Sequence, residues 1–263
     1  MIRRTPLRRS RLQELLPDHP FTRDVRILGR VSSTSDLLLD LASRGAATHG
    51  TLLTAEEQTR GRGRRGTRWE CPSGMGLLFS FLLDPAPASR RLLPTALSLG
   101  VARAVEALDL PVLVKWPNDV LVGDLKIAGC LVELSGEQAV AGIGLNVNQA
   151  EEELPSDAPL RPASLALLLG RQVDREDLLA RILREIARGL DALEEPSAQE
   201  SLVAEALQKD ALAGRRVTLV EGDRLMEGRV LQAHPLQGIL FRPEAGEADV
   251  RLRPEHTRIL SLR

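Results

Sequence analysis

Three β-rich runs crowd into residues 112–147 of this 263-residue chain, at 112–116, 125–134 and 139–147. Gly123-Asp124 turns the chain into the second run and Ser135-Gly136 into the third, so neither link leaves room for a crossover. Consecutive runs joined this way pair antiparallel. The three strands therefore bring Asn118, Lys126, Gly129 and Asn146 onto one sheet, and the rest of the chain has to be arranged around it.

Upstream, a short strand over 25–31 leads into Ser32-Ser33-Thr34-Ser35, a hydroxyl cluster suited to capping a helix over 36–44 that Gly45 stops. Capping is an adequate role for Ser33 and Thr34. Hydroxyls and amides at a helix start can also hydrogen-bond a polar ligand head group. A strand over 51–55 delivers Glu56-Glu57-Gln58 to the stretch Gly61-Arg62-Gly63-Arg64-Arg65-Gly66-Thr67-Arg68-Trp69, and an apolar strand over 77–83 leaves it. The glycines of this loop permit positive φ and close approach of a ligand to the backbone, while Arg62, Arg64, Arg65 and Arg68 supply permanent charge. That combination suits a polyphosphate or an acyl phosphate.

Helical spacing of Leu93, Leu97, Val101 and Val105 predicts a helix over 92–108, with Pro94 tolerated in its first turn. After an acidic, Pro-containing loop at 149–162, an apolar stripe predicts a core helix over 175–193, and another follows Pro196-Ser197 to about residue 210. Beyond Gly214 the period changes to two in short runs, at 217–220, 225–231, 239–241 and 250–252, with glycines at the turns. This is the pattern of a small appended β-barrel. The expected division is an N-terminal tail over 1–22, an α/β domain over 23–211 and the barrel over 212–263. Five arginines among the first eleven residues, with Pro6, Pro17 and Pro20 nearby, suggest a frayed, solvated tail too short for a helix-turn-helix domain.

Residue economy points to the site. The chain uses Arg nearly everywhere a cation is wanted. Its lysines are Lys115, Lys126 and Lys209, its asparagines Asn118, Asn146 and Asn148, and its tryptophans Trp69 and Trp116. Seven of these eight fall within 61–69 and 115–148, where an even scatter would put one or two. A compact ammonium and a carboxamide that both donates and accepts do work that Arg and Asp cannot. Composition bounds the alternatives. A net charge of −1, 2% aromatic residues and no tyrosine argue against a nucleic-acid binder built on basic stacking platforms. No apolar run approaches the roughly 20 residues of a membrane span, and the N-terminus lacks the apolar core of a signal peptide, so a cytoplasmic location is expected. Cys71 and Cys130 are too few for a disulfide framework and read as packing residues.

The Arg loop, Lys115-Trp116-Pro117-Asn118-Asp119, Lys126-Ile127-Ala128-Gly129 and Gly142-Ile143-Gly144-Leu145-Asn146-Val147-Asn148, in that order, closely resemble the motifs of the biotin protein ligases, over roughly residues 25–263. The short N-terminus is similar to the monofunctional members, without a DNA-binding domain. The resemblance implies an α/β (α+β) fold, a mixed sheet similar to that of class II aminoacyl-tRNA synthetases and biotin synthetases, followed by an SH3-like barrel. It implies that biotin is held by Ser33 and Thr34, by Gln58, by the loop residues Gly61, Arg62 and Arg64, and by Lys126 and the backbone near Gly129 and Gly142, with Ser35, Gly63 and Gly144 in the same ligand-binding set. The nucleotide would lie along Trp69, Lys115, Asn118, Asp119 and Asn146. Ser35 stands where the family usually has Asn, and Thr67 interrupts the usual Gly-Arg-x-Trp ending of the loop.

The implied activity joins biotin to AMP from ATP as a mixed anhydride, with release of pyrophosphate, and passes it to a lysine of a biotin carboxyl carrier domain of acetyl-CoA carboxylase or a related carboxylase. No DNA or membrane partner is expected, and the resemblance admits a homodimer. No enzyme nucleophile is required. The catalytic set so implied is Lys126 on the carboxylate, Arg62 and Lys115 on the phosphates, and Mg²⁺ between phosphate oxygens with Asp119 nearby, its ligands undefined. A lipoate ligase, which shares the adenylating logic, is the nearest rival reading; a nucleic-acid module built on the Arg loop and barrel is the rival from another class.

Overall fold

The computed structural model describes residues 4–262, apart from 159, 245, 247, 254 and 255. In chain order its elements are α1 (Arg9–Leu15), β1 (Val25–Val31), α2 (Thr34–Ser43), β2 (Leu52–Gln58), β3 (Gly76–Leu83), α3 (Leu93–Glu106), β4 (Val112–Lys115), β5 (Asp119–Val122), β6 (Leu125–Ser135), β7 (Gln138–Asn146), α4 (Leu165–Leu169), α5 (Arg175–Asp191) and α6 (Pro196–Gln208). Then come β8 (Arg216–Glu221), β9 (Arg224–His234), β10 (Gly238–Pro243), β11 (Val250–Leu252) and β12 (Thr257–Leu262). Two sheets result. One has seven strands in the order β1-β2-β3-β7-β6-β5-β4, mixed because β1 and β2 run parallel; the other has five antiparallel strands, β11-β10-β9-β8-β12. Among the described residues no helix is long and apolar enough to cross a membrane.

The register of the seven-stranded sheet sorts its residues by face. Phe79, Ile143, Cys130 and Val120 share one face and join the main core with α3 and α5, whose apolar stripes cover it. On the other face Ser80 is opposite Gly142, and Gly144, Gly129, Asp119 and Lys115 follow one another across β7, β6, β5 and β4. α2 covers one end of this second face through Leu38, which meets Leu53, Leu82 and Val140. The remainder of that face is left to the site.

Three expectations are corrected. β5 was not foreseen: residues 119–122 turn back on β4 through Trp116-Pro117-Asn118, so four strands, not three, carry the central motifs. Four residues are too few to show a period. β12 was likewise missed, although it closes the small sheet against β8. The N-terminal segment does not fray. Leu7, Leu12 and Leu16 are buried in the main core, and Arg8 pairs with Glu176 at 2.9 Å. Burying three leucines outweighs the ordering of one short helix; the prolines lie outside it.

The barrel is fastened to the sheet edge. Val114 N–H donates to the Lys209 carbonyl (2.8 Å), Ala211 N–H donates to the Val114 carbonyl (3.0 Å), and Asp210 accepts from Ala233 N–H (2.8 Å). Trp116 completes the joint by packing with Leu212, Leu219 and Phe241 in the barrel core.

Candidate functional site

The open face of the sheet, the Arg loop and β12 together enclose a cavity of about 370 Å³. Its wall includes Ser33, Thr34, Ser35, Gln58, Arg62, Gly63, Arg64, Trp69, Lys115, Asn118, Asp119, Lys126, Gly129, Gly142, Gly144 and Asn146. Of the residues expected from the sequence, Gly61 is the one not on that wall.

At the β3 end the wall is neutral. Ser33 caps α2, its hydroxyl accepting from Asp36 N–H at 3.3 Å. Thr34 donates from its amide (2.7 Å) and hydroxyl (3.1 Å) to Gln58 Oε1, and its hydroxyl and that of Ser35 lie 2.7 and 2.9 Å from Ser80 Oγ. The short Ser35 side chain thus reaches a partner of its own. A Cβ on Gly142 would stand 2.5 Å from Ser35 Oγ, which is why that position carries no side chain. Sequence reasoning missed Ser80. Its signal was there: a lone hydroxyl in the otherwise apolar strand Gly76–Leu83.

Three strand spacings away, about 14 Å at the usual separation, the wall is charged. Asp119 lies between two ammonium groups, 2.6 Å from Lys126 Nζ and 3.4 Å from Lys115 Nζ. Burial by itself raises a carboxyl, but the pull of Lys126 and then Lys115 outweighs it and holds Asp119 below its ordinary value. Burial lowers Lys115, with Asp119 opposing and Lys126 adding to the shift. One carboxylate shared by two lysines leaves a local charge of +1, which favours an anion. A bulge makes this possible. Val120 pairs with Ala128 but Leu121 with Lys126, so Ile127 is the extra residue and Lys126 turns onto the Asp119 face while Ile127 enters the core.

Between the two ends lies Trp69. Gly144 and Gly129 are register partners, and the indole lies on the flat floor they make: a Cβ on Gly144 would stand 2.4 Å from Trp69 Cε2, one on Gly129 3.3 Å from Cζ3. Lys126 Nζ stands 5.5 Å from the ring centroid, within cation–π range.

The Arg loop is a small hairpin. Gly63 N–H donates to the Thr67 carbonyl (2.7 Å), Trp69 N–H to the Gly61 carbonyl (3.0 Å), and the Thr67 hydroxyl to the Arg64 carbonyl (2.9 Å). Its glycines have a reason different from the one the sequence suggested. A Cβ on Gly61 would strike the Trp69 carbonyl at 2.4 Å, and one on Gly63 the Thr67 hydroxyl at 2.5 Å, so both are required by the loop's own closure; positive φ occurs at Arg65 and Gly66. Thr67 is a hairpin staple. Arg62, expected on phosphates, bridges Asp36 (2.5 Å) and Glu133 (2.6 Å) and ties the loop to α2 and β6. Arg64 reaches Asn118 Oδ1 at 3.4 Å, and Asn118 in turn donates to the Cys130 carbonyl at 2.5 Å. Cys71 and Cys130 are buried free thiols, both pushed up to about 12 by burial, which suits packing residues.

Comparison with known proteins places the chain in a family. Residues 28–149 match the Biotin/lipoate A/B protein ligase family. The biotin–[acetyl-CoA-carboxylase] ligase of Mycobacterium tuberculosis is 33% identical over 222 residues, covering 81% of this chain and 81% of that protein. The chain belongs to the biotin protein ligase family. A solved member, the biotin protein ligase from Aquifex aeolicus in complex with biotin and ATP, superposes with a TM-score of 0.76 at 32% identity, covering 90% of this chain and 99% of that one. The family fold is thus the one seen here, a mixed sheet with α-helical cover followed by an SH3-like barrel. A bifunctional ligase/repressor of Bacillus spizizenii is 33% identical over 178 residues, 65% of this chain and 53% of its own length, so the chain spans about half of that relative.

One part of the cavity wall lay outside sequence reasoning. Thr257, Arg258, Ile259 and Ser261 of β12 line the cavity, brought there by the barrel's attachment to β4. The magnesium ion implied by the resemblance finds no protein cage: Asp119 has both oxygens on lysines, and no group of three His, Cys, Asp or Glu side chains among the described residues could hold a metal.

Proposed function

We propose that this chain activates biotin as biotinyl-5'-AMP with ATP and transfers it to a lysine of a biotin carboxyl carrier domain. The observation that carries the reading is the polarity of the cavity: a neutral donor–acceptor cluster at Thr34, Ser35, Gln58 and Ser80, an ammonium pair around Asp119 about 14 Å away, and an indole between them. A ureido ring matches the first end and a carboxylate meeting a triphosphate matches the second. A biotin carboxylate oxygen attacks the α-phosphorus and pyrophosphate departs. Lys126 and Lys115 stabilise the charge that gathers there. The carrier lysine then attacks the acyl carbon, AMP leaves with the bonding electrons, and the amine gives up a proton. Mg²⁺ belongs to this reading as a counter-ion that ATP brings. A cytoplasmic location and a carrier domain of acetyl-CoA carboxylase or a related carboxylase complete it.

The test is pyrophosphate release by the purified protein with biotin, with lipoate and with neither, followed by label transfer to a carrier domain. Release that depends on biotin and ATP together supports the proposal. Release with lipoate but not biotin overturns it.

A further inference from the structure

Gln149 lies behind the cavity wall, 1% exposed, three residues after Asn146. Its Oε1 accepts from Val147 N–H at 2.8 Å. A main-chain N–H only donates, so the oxygen end of this amide is fixed and Nε2 must face the other way. There it donates to Asn146 Oδ1 (2.9 Å) and to Cys71 Sγ (3.3 Å). The Cys71 thiol, pushed up to about 12 by burial, keeps its proton and directs it to the Pro72 carbonyl. Both protons of the Gln149 amide are used, and its oxygen is engaged.

The segment cannot turn to accommodate another arrangement. The Gln149 carbonyl accepts from Ser164 Oγ (2.6 Å), Asn148 N–H donates to the Met75 carbonyl (2.7 Å), and the Asn148 side chain exchanges two hydrogen bonds of 2.9 Å with the Val173 backbone. A glutamine that only filled space would need partners of any kind. This one takes the oxygen of a cavity-wall amide and leaves Asn146 Nδ2 as the end turned to the cavity; that nitrogen donates to no protein acceptor in any hydrogen bond found among the described residues.

We propose that Gln149 is a positioning residue for the nucleotide: it fixes the polarity of the Asn146 carboxamide so that the wall offers an N–H to a hydrogen-bond acceptor on the bound nucleotide. The inference rests on the reading of the cavity as a nucleotide site. Gln149→Glu probes it most sharply. The carboxylate keeps the Val147 contact but has no proton for Asn146, so the Asn146 amide reverses and presents its oxygen to the ligand's acceptor. Protonating the glutamate restores a donor, and burial raises its pKa toward the working range.

The experiment measures the affinity of a non-hydrolysable ATP analogue by calorimetry from pH 6 to pH 9, and the KM values for ATP and biotin in pyrophosphate release. Gln149→Glu is expected to weaken the analogue about tenfold at pH 9, as loss of one buried hydrogen bond implies, to leave the biotin KM within about twofold, and to recover toward pH 6. Gln149→Met should weaken it severalfold with no such recovery. Wild-type affinity for the analogue in both variants across the range, or parallel loss of ATP and biotin affinity without recovery at low pH, overturns the proposal. Wild-type protein that binds the analogue but releases no pyrophosphate with biotin refutes the assigned reaction and leaves this inference standing; wild-type protein that binds no analogue refutes both.

Discussion

Adding one methyl group at Gly144 should displace Trp69 and with it the middle of the site. The new Cβ would stand 2.4 Å from Cε2, 2.6 Å from Nε1 and 2.7 Å from Cδ2 of the indole, whereas ordinary contact begins at 3.4 Å. The ring must therefore recede by about 1 Å (3.4 − 2.4), because the floor cannot yield: Gly144 is hydrogen-bonded in register between Leu78 and Gly129. Overpacking of this kind costs about 1–3 kcal/mol, or a fall in Tm of about 2–4 °C per kcal/mol for a chain of this size. Recession also takes the ring from Lys126, already 5.5 Å from its centroid, to the ~6 Å limit of a useful cation–π contact. If the nucleotide stacks on Trp69, losing that platform should weaken ATP by about tenfold, the lower end of base–aromatic stacking. The chain has two tryptophans, and Trp116 is buried in the barrel core. In a Trp116→Phe background Trp69 becomes the sole indole reporter. Gly144→Ala should then shift its emission to the red and reduce its quenching by ATP. An unchanged emission spectrum with unchanged ATP affinity would refute the seat; a shifted spectrum with unchanged affinity would keep the seat and refute the stacking.

Lys126→Ala should slow single-turnover pyrophosphate release on the order of 100-fold while ATP affinity changes little, because the ammonium acts on charge that develops in the reaction; an unchanged rate would reduce Lys126 to a partner of Asp119. Asp119→Asn leaves the buried Lys115 and the partly exposed Lys126 without their carboxylate and should cost about 3 kcal/mol at neutral pH, the lower end for a buried pair because Lys126 keeps contact with solvent. Since Asp119 is held below its ordinary 3.8, its stabilisation is fully present above that pH and is lost as pH falls through the folded value; urea titrations of both proteins should therefore converge in strong acid, and a gap independent of pH would contradict the ion-pair account. Leu12→Ala, at a fully buried position of α1, should lower stability by about 2–5 kcal/mol, where a frayed tail would show no change in the unfolding midpoint.

The local order of the chain was legible where a period or a turn repeated often enough to be counted. β1, β3, β7, the stripe of α5 and the glycine-marked strands of the barrel all follow from spacing alone. The site's inventory was legible for a different reason: in a chain that prefers Arg, the positions that keep Lys and Asn identify themselves. What one dimension could not hold was partnership. Lys126 faces Asp119 because a bulge gives Ile127 to the core, and a bulge exists only relative to a neighbouring strand. Arg62 reads as a phosphate ligand until Asp36 and Glu133 arrive from α2 and β6 to hold it. The loop glycines read as room for a ligand, yet Gly61 and Gly63 make room for Trp69 and Thr67. Ser80 and Gln149, one serine and one glutamine in unremarked surroundings, gain meaning only when Thr34 and Asn146 are 2.7 and 2.9 Å away. Residue types and periods are written along the chain, so they fix which elements form and which chemistry is available; direction, register offset and hydrogen-bond polarity depend on residues far apart in sequence, and only packing decides them.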